Sequence, residues 1–68
     1  MSLYKVIELV GTSQVSWEDA AKNAIETARK SLHDLRIGEV TKMDLKLENG
    51  TLLYRIRLDL SFKYIGGD

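Results

Sequence analysis

The side chains best equipped for chemistry gather in the C-terminal half of this 68-residue chain: Lys42, Asp44, Lys46, Arg55, Arg57, Asp59 and Lys63. They alternate with apolar residues, which puts them on one face of a strand pair. Such a face is either solvated, with cross-strand ion pairs each worth under about 1 kcal/mol, or the inner wall of an assembly holding an anion, a metal or a polar ligand. Lys42, Asp44, Arg57 and Asp59 are the candidates for that inner face. Their mixed signs fit neither a nucleic-acid track nor a membrane patch. Glu8, Glu39, Asp44, Glu48 and Asp59 could offer hard oxygen ligands to calcium or magnesium. Their spacing is not that of an EF-hand, so any such site has to be assembled across strands or subunits.

Other residues carry less. His33 is the one histidine, with no cysteine to join it in a zinc site. No nucleophile and orienting carboxylate are placed beside it, and it is expected as a solvated residue in the last helical turn. Gly11-Thr12-Ser13 has the context of a phosphate-binding turn, between a strand and a helix. It lacks the second glycine and the lysine of a P-loop, and a connector with a helix cap explains it. Trp17 is expected at an interface. With no nucleophile–base pair and no metal triad, the chain is not expected to be an enzyme.

The elements that must position these residues are legible. Leu3–Val10 is rich in β-branched and aromatic types and reads as a strand that Gly11 breaks. Tyr4, Val6 and Val10 fall on one side of it and Leu3, Ile7 and Leu9 on the other, so both faces need covering. Ser16 and Asp19 approximate a capping box. A helix is expected from Trp17 to about His33, with Ala20, Ala21, Ala24, Ile25, Ala28 and Leu32 at helical spacing. Glu18/Lys22, Lys22/Glu26 and Glu26/Lys30 stand four apart on its outer face.

Asn49-Gly50 is the preferred two-residue type I′ hairpin turn. Set between Glu48 and Thr51, it pairs Leu47 with Leu52, Leu45 with Tyr54, Met43 with Ile56 and Thr41 with Leu58. The opposite face pairs Asp44 with Arg55, Lys42 with Arg57 and Val40 with Asp59. One face is apolar and the other polar, which a slip of one residue would destroy. Gly66-Gly67-Asp68 is expected as a frayed tail. The resulting order is β-α-β-β, an α+β fold in which a three-stranded antiparallel sheet wraps around one helix, with the last strand between the first two.

Composition sets the outer bounds. Ten acids balance ten bases, and 44% of residues are hydrophobic. The chain is therefore read as one ordered domain over residues 1–68, not a nucleic-acid binder. No apolar run approaches the ~20 residues of a membrane span and no leader is evident, so a cytoplasmic location is expected. Below about 70–80 residues one core seldom stabilises a domain unaided. Without cysteine, self-association is the staple left, and an obligate homo-oligomer is expected.

Across nearly its full length the chain resembles the dodecin family. The likeness rests on Tyr4-Lys5-Val6-Ile7-Glu8-Leu9-Val10-Gly11-Thr12-Ser13, on Ala20, Ala21, Ala24 and Ala28, on Gly38-Glu39-Val40, and on Tyr54 through Phe62. The resemblance implies a hollow homododecamer of small subunits that binds or stores a small ligand or ion between them. Many members sequester flavins such as riboflavin and FMN without catalysing a reaction. Flavin-binding members carry a tryptophan two residues before the Glu39 position, stacking on the ring, and a glutamine after the last-strand tyrosine. Here those positions are Ile37, which has no π-face, and Arg55, which donates but cannot accept. Ser16-Trp17-Glu18, Leu35-Arg36-Ile37 and Tyr54-Arg55-Ile56 are more similar to a branch associated with calcium. The resemblance thus points to a binding or storage protein with the flavin residues replaced. A flavin-sequestering protein and a structural module whose charged face docks another protein are the alternatives.

Overall fold

The structure, a computed structural model, describes residues 3–63. The tail expected at Gly66-Gly67-Asp68 lies outside them. Strand β1 (Tyr4–Ser13) leads into helix α1 (Trp17–Ala28), followed by strands β2 (Leu35–Glu48) and β3 (Thr51–Lys63). The sheet order is β1-β3-β2, with β3 antiparallel to both neighbours. This is the β-α-β-β arrangement expected from the crossover and hairpin signals.

Gly11 does not break β1. The strand runs on through Thr12 and Ser13, paired with Arg55 and Tyr54. The glycine serves contact instead: a Cβ there would lie 2.7 Å from the Ala20 carbonyl oxygen and 3.0 Å from the Ala24 Cβ. Helix and strand approach so closely because neither carries bulk at the crossing.

Ser16 caps α1 as expected, its hydroxyl accepting from the Asp19 amide at 3.0 Å. The reciprocal half of the box is absent. The Asp19 carboxylate accepts from the hydroxyl of buried Ser13 at 2.6 Å and from the Asn23 amide at 3.1 Å. Ser13 also accepts from the Val15 amide at 2.9 Å. Gly11-Thr12-Ser13 is thus a strand end bonded into the helix cap.

The helix stops at Ala28, short of His33. After the Arg29–Ile25 bond, the Lys30 and Ser31 amides bond three residues back, to Thr27 and Ala28, which tightens the last turn and ends it. Asp34 then takes φ +58, a left-handed position that an aspartate tolerates, and turns the chain into β2. His33 therefore lies in the connection. Among the described residues the helix ion pair is Glu26–Arg29, three apart at 3.4 Å, not the pairs spaced at four.

The hairpin turns at Asn49 (φ +52) and Gly50 (φ +77), and its register holds as expected from Glu48–Thr51 to Lys42–Arg57. There a bulge intervenes. Thr41 is left out of the ladder, its hydroxyl donating to the Arg57 carbonyl at 3.2 Å. Beyond it Val40 pairs with Leu58 and Glu39 with Asp59. The expected pairs Thr41–Leu58 and Val40–Asp59 are displaced by one residue, because one strand of the pair contains one residue more.

The core lies where α1 crosses the sheet: Ala20, Ala28, Ile56, Leu58 and Leu60 are buried, with Ile7, Leu9, Trp17, Ala24, Ile25, Leu32 and Leu35 around them. Trp17 belongs to this protomer's own packing. Its ring stands edge-on to Tyr54 at 5.2 Å, and its indole N–H donates to the Asp44 carbonyl at 3.1 Å.

Twelve helical residues span about 18 Å, whereas the 13 residues of β3 reach about 43 Å. The hairpin therefore projects past the helix as an arm whose helix-side face is uncovered: Val40, Met43, Leu45, Leu47 and Leu52 stay exposed. The radius of gyration is 13.8 Å, against about 11 Å for a compact domain of this length. The accessible surface is 5089 Å², against roughly 4,300 Å² for a compact monomer of this mass.

Candidate functional site

The face of the sheet turned away from α1 carries the charged residues in rows across the three strands. Thr12, Arg55 and Asp44 form one row; Val10, Arg57 and Lys42 the next; then Glu8, Asp59 and Glu39; then Val6, Ser61 and Ile37. All the expected inner-face residues, Lys42, Asp44, Arg57 and Asp59, share this surface. Glu39 joins them only because the bulge turns it outward, and no sequence signal announces that bulge.

Charges on this face meet at close range. Arg55 grips Asp44 through two nitrogens, Nε to Oδ1 at 2.7 Å and Nη2 to Oδ2 at 2.8 Å. That hydrogen bond lowers the Asp44 pKa below the ordinary aspartate value, with the charges of Arg55, Arg57 and Lys42 adding to the effect. Arg57 has Glu8 at 3.8 Å, and Lys46 has Glu48 at 3.8 Å. Among the described residues Lys42, Glu39 and Asp59 form no ion pair. A pocket of about 140 Å³ opens between Val10, Lys42, Asp44, Arg55, Ile56 and Arg57.

Two wider grooves flank the helix. One, of about 610 Å³, lies between the end of α1 and the start of β2 and includes His33, Arg29 and Arg36. The other, of about 510 Å³, runs between β1 and α1 over Ile7, Leu9, Ala24 and Leu32.

Ile37 and Arg55 lie on the same face but far apart. Their partners and positions along β3 differ by six residues, Ser61 against Arg55, or about 20 Å. One chain cannot bring both to one small ligand. Neither residue suits a flavin ring: Ile37 gives no aromatic surface, and the Arg55 fork is already filled by Asp44. A single chain does not complete a calcium shell either. Calcium takes about 6–8 oxygens, and among the described residues no three His, Asp or Glu side chains are grouped to hold a metal. Asp44 is taken up by Arg55, and Glu8 faces Arg57. Glu39 and Asp59 face each other across the strands and form no ion pair among the described residues.

Comparison with known proteins places these features. The family model described as Dodecin matches residues 3–64. The calcium dodecin of Mycobacterium tuberculosis is 47% identical over 64 residues, covering 93% of this chain and 90% of that protein. A crystal structure of that calcium-chelating antigen, described with a novel calcium-binding site, superposes with a TM-score of 0.86 at 43% identity, covering 98% of this chain and 97% of the other. The dodecin of Streptomyces coelicolor gives 0.88 at 31% identity, with 97% and 96% covered. A variant of the Thermus thermophilus dodecin gives 0.89 at 31% identity, with 98% and 100% covered.

Proposed function

The chain belongs to the dodecin family, and from that premise we propose that it is a non-enzymatic, self-assembling protein that binds calcium, in place of a flavin, between its copies. The observation that carries the reading is the surface left uncovered by one chain. It exceeds that of a compact monomer by several hundred Å², on the scale of the ~800 Å² a partner buries in a standard interface. Much of it is apolar: the hairpin arm on one face, and Tyr4, Val6, Val10 and Ile37 on the other. The assembly is a homododecamer in this reading, and its ligand sites are built where copies meet.

Calcium is favoured over flavin by the relative at 47% identity, and by Ile37 and the filled fork of Arg55. Glu39 and Asp59 contribute oxygens, and further copies supply the rest. No residue set for catalysis is needed in this role, which is to hold and store the ion.

Light scattering on the eluting protein, followed by calorimetric titration with calcium and with riboflavin, tests the proposal. A particle of about twelve chains that takes up calcium and leaves riboflavin fluorescence unquenched is expected. A stable monomer or dimer at micromolar concentration would reject the assembly. Quenching without calcium uptake would return the chain to the flavin-sequestering reading, and a stoichiometric foreign partner without self-assembly to the structural module.

A further inference from the structure

We propose that the small pocket on the outer sheet face, between Lys42 and Arg57, binds an oxyanion, the chemistry shared by inorganic phosphate and a phosphate monoester. The argument is independent of the calcium reading and starts from the register. Lys42 stands directly across from Arg57 in the β2–β3 ladder. Like charges in that position repel and destabilise a sheet unless something of opposite sign lies between them.

The neighbouring carboxylates offset that repulsion only in part. Asp44 lines the same pocket, but both its oxygens are engaged by Arg55 at 2.7 and 2.8 Å, so that pair is close to neutral as a unit. Glu8 approaches Arg57 from the β1 side at a loose 3.8 Å. Lys42 has no carboxylate within ion-pair distance among the described residues. The pocket therefore keeps a net positive lining made of one free ammonium and one guanidinium that still has donors to give. A guanidinium and an ammonium side by side are the donor set that planar and tetrahedral oxyanions accept.

Size narrows the class. At about 140 Å³ the pocket falls below the roughly 300 Å³ at which sites for larger organic ligands begin. It admits one phosphate group with water, not a fused ring. A monoester would place only its phosphate inside, with the rest of the molecule outside the pocket.

Calcium-free protein in its native assembly, at constant ionic strength, is titrated with inorganic phosphate and separately with glycerol phosphate, and followed by phosphorus NMR. Saturable binding is expected. Binding of both anions, or of either one, supports the pocket and identifies whether the free ion or the esterified group is its ligand. Lys42→Met should weaken binding about tenfold, the size of one lost charge-assisted bond, and Lys42→Arg should restore it. Lys46→Met, which removes a cation of the same face held near Glu48, should leave binding unchanged. In the unaltered protein, the Lys42 and Arg57 side-chain signals should shift with phosphate while that of Lys46 does not. This readout stands even if a Lys42 variant fails to assemble. Absence of saturable binding to either anion, or equal weakening by Lys42→Met and Lys46→Met, would overturn the proposal.

Discussion

Arg55 and Asp44 form a two-pronged ion pair across the β2–β3 ladder, at 2.7 and 2.8 Å, while the Asp44 carbonyl accepts the Trp17 indole N–H at 3.1 Å. One residue of the hairpin thus faces Arg55 with its side chain and ties the start of the helix with its backbone. The carboxyl is held below the ordinary aspartate value of 3.8, chiefly by the Arg55 hydrogen bond. A folded-state value below the unfolded one means that the pair stabilises the fold at neutral pH and that this contribution is lost as pH falls through the depressed value. The pair is exposed, so the contribution is small. A carboxyl-carbon NMR titration should place the Asp44 midpoint under 3.8, and Arg55→Gln should raise it. A midpoint indifferent to Arg55→Gln would show that the pair does not persist in solution.

The flavin-site positions make a gain-of-function prediction. Ile37→Trp with Arg55→Gln restores an aromatic face and an amide that both donates and accepts. The double variant should quench riboflavin fluorescence at micromolar flavin, with the unaltered protein giving no quenching. Each single change should fall short, because it restores only one of the two contacts, and the positions lie about 20 Å apart in one chain.

Gly11→Ala tests the closeness of β1 and α1. The added methyl would meet a backbone carbonyl, that of Ala20, at 2.7 Å, and a helix carbonyl cannot rotate away as a side chain does. A loss of about 1–3 kcal/mol is expected from overpacking, read by denaturant unfolding. Gly50→Ala, at φ +77 with open space around it, should cost about 1–2 kcal/mol through backbone strain alone.

Met43→Lys together with Leu47→Lys tests the arm. Both side chains are more than half exposed in one chain, so the changes are nearly neutral for the isolated fold and cost transfer energy only where another copy covers them. Light scattering should show smaller particles, with helix content by circular dichroism retained. An unchanged particle mass would mean that the arm lies free in the assembly.

The sequence carried the hairpin in unusual detail, because Asn49-Gly50 sets the turn and the alternation from Lys42 to Arg57 agrees with it. It failed at Thr41. A bulge adds one residue without a composition of its own, and threonine is at home in a strand, so nothing local marks it. The helix end is hidden for a similar reason: Arg29, Lys30 and Ser31 are acceptable helix residues, and the stop lies in tightened backbone bonds and the left-handed Asp34. Gly11 has the composition of a strand breaker, whereas its absent side chain serves helix contact, which depends on residues further along the chain. Of the site, the shared face was legible from periodicity. The row of Glu8, Asp59 and Glu39 was not, since it appears only once the bulge has displaced Glu39.

The bulge at Thr41 divides β2 into a half packed under the helix and a half that meets it through the Trp17–Asp44 hydrogen bond and then runs on past it. Reach and globule can therefore vary separately. Adding two residues to each strand of the free half keeps every side chain on its present face and extends it by about 7 Å. The reach of the arm past the helix becomes a length written in pairs of residues next to one turn.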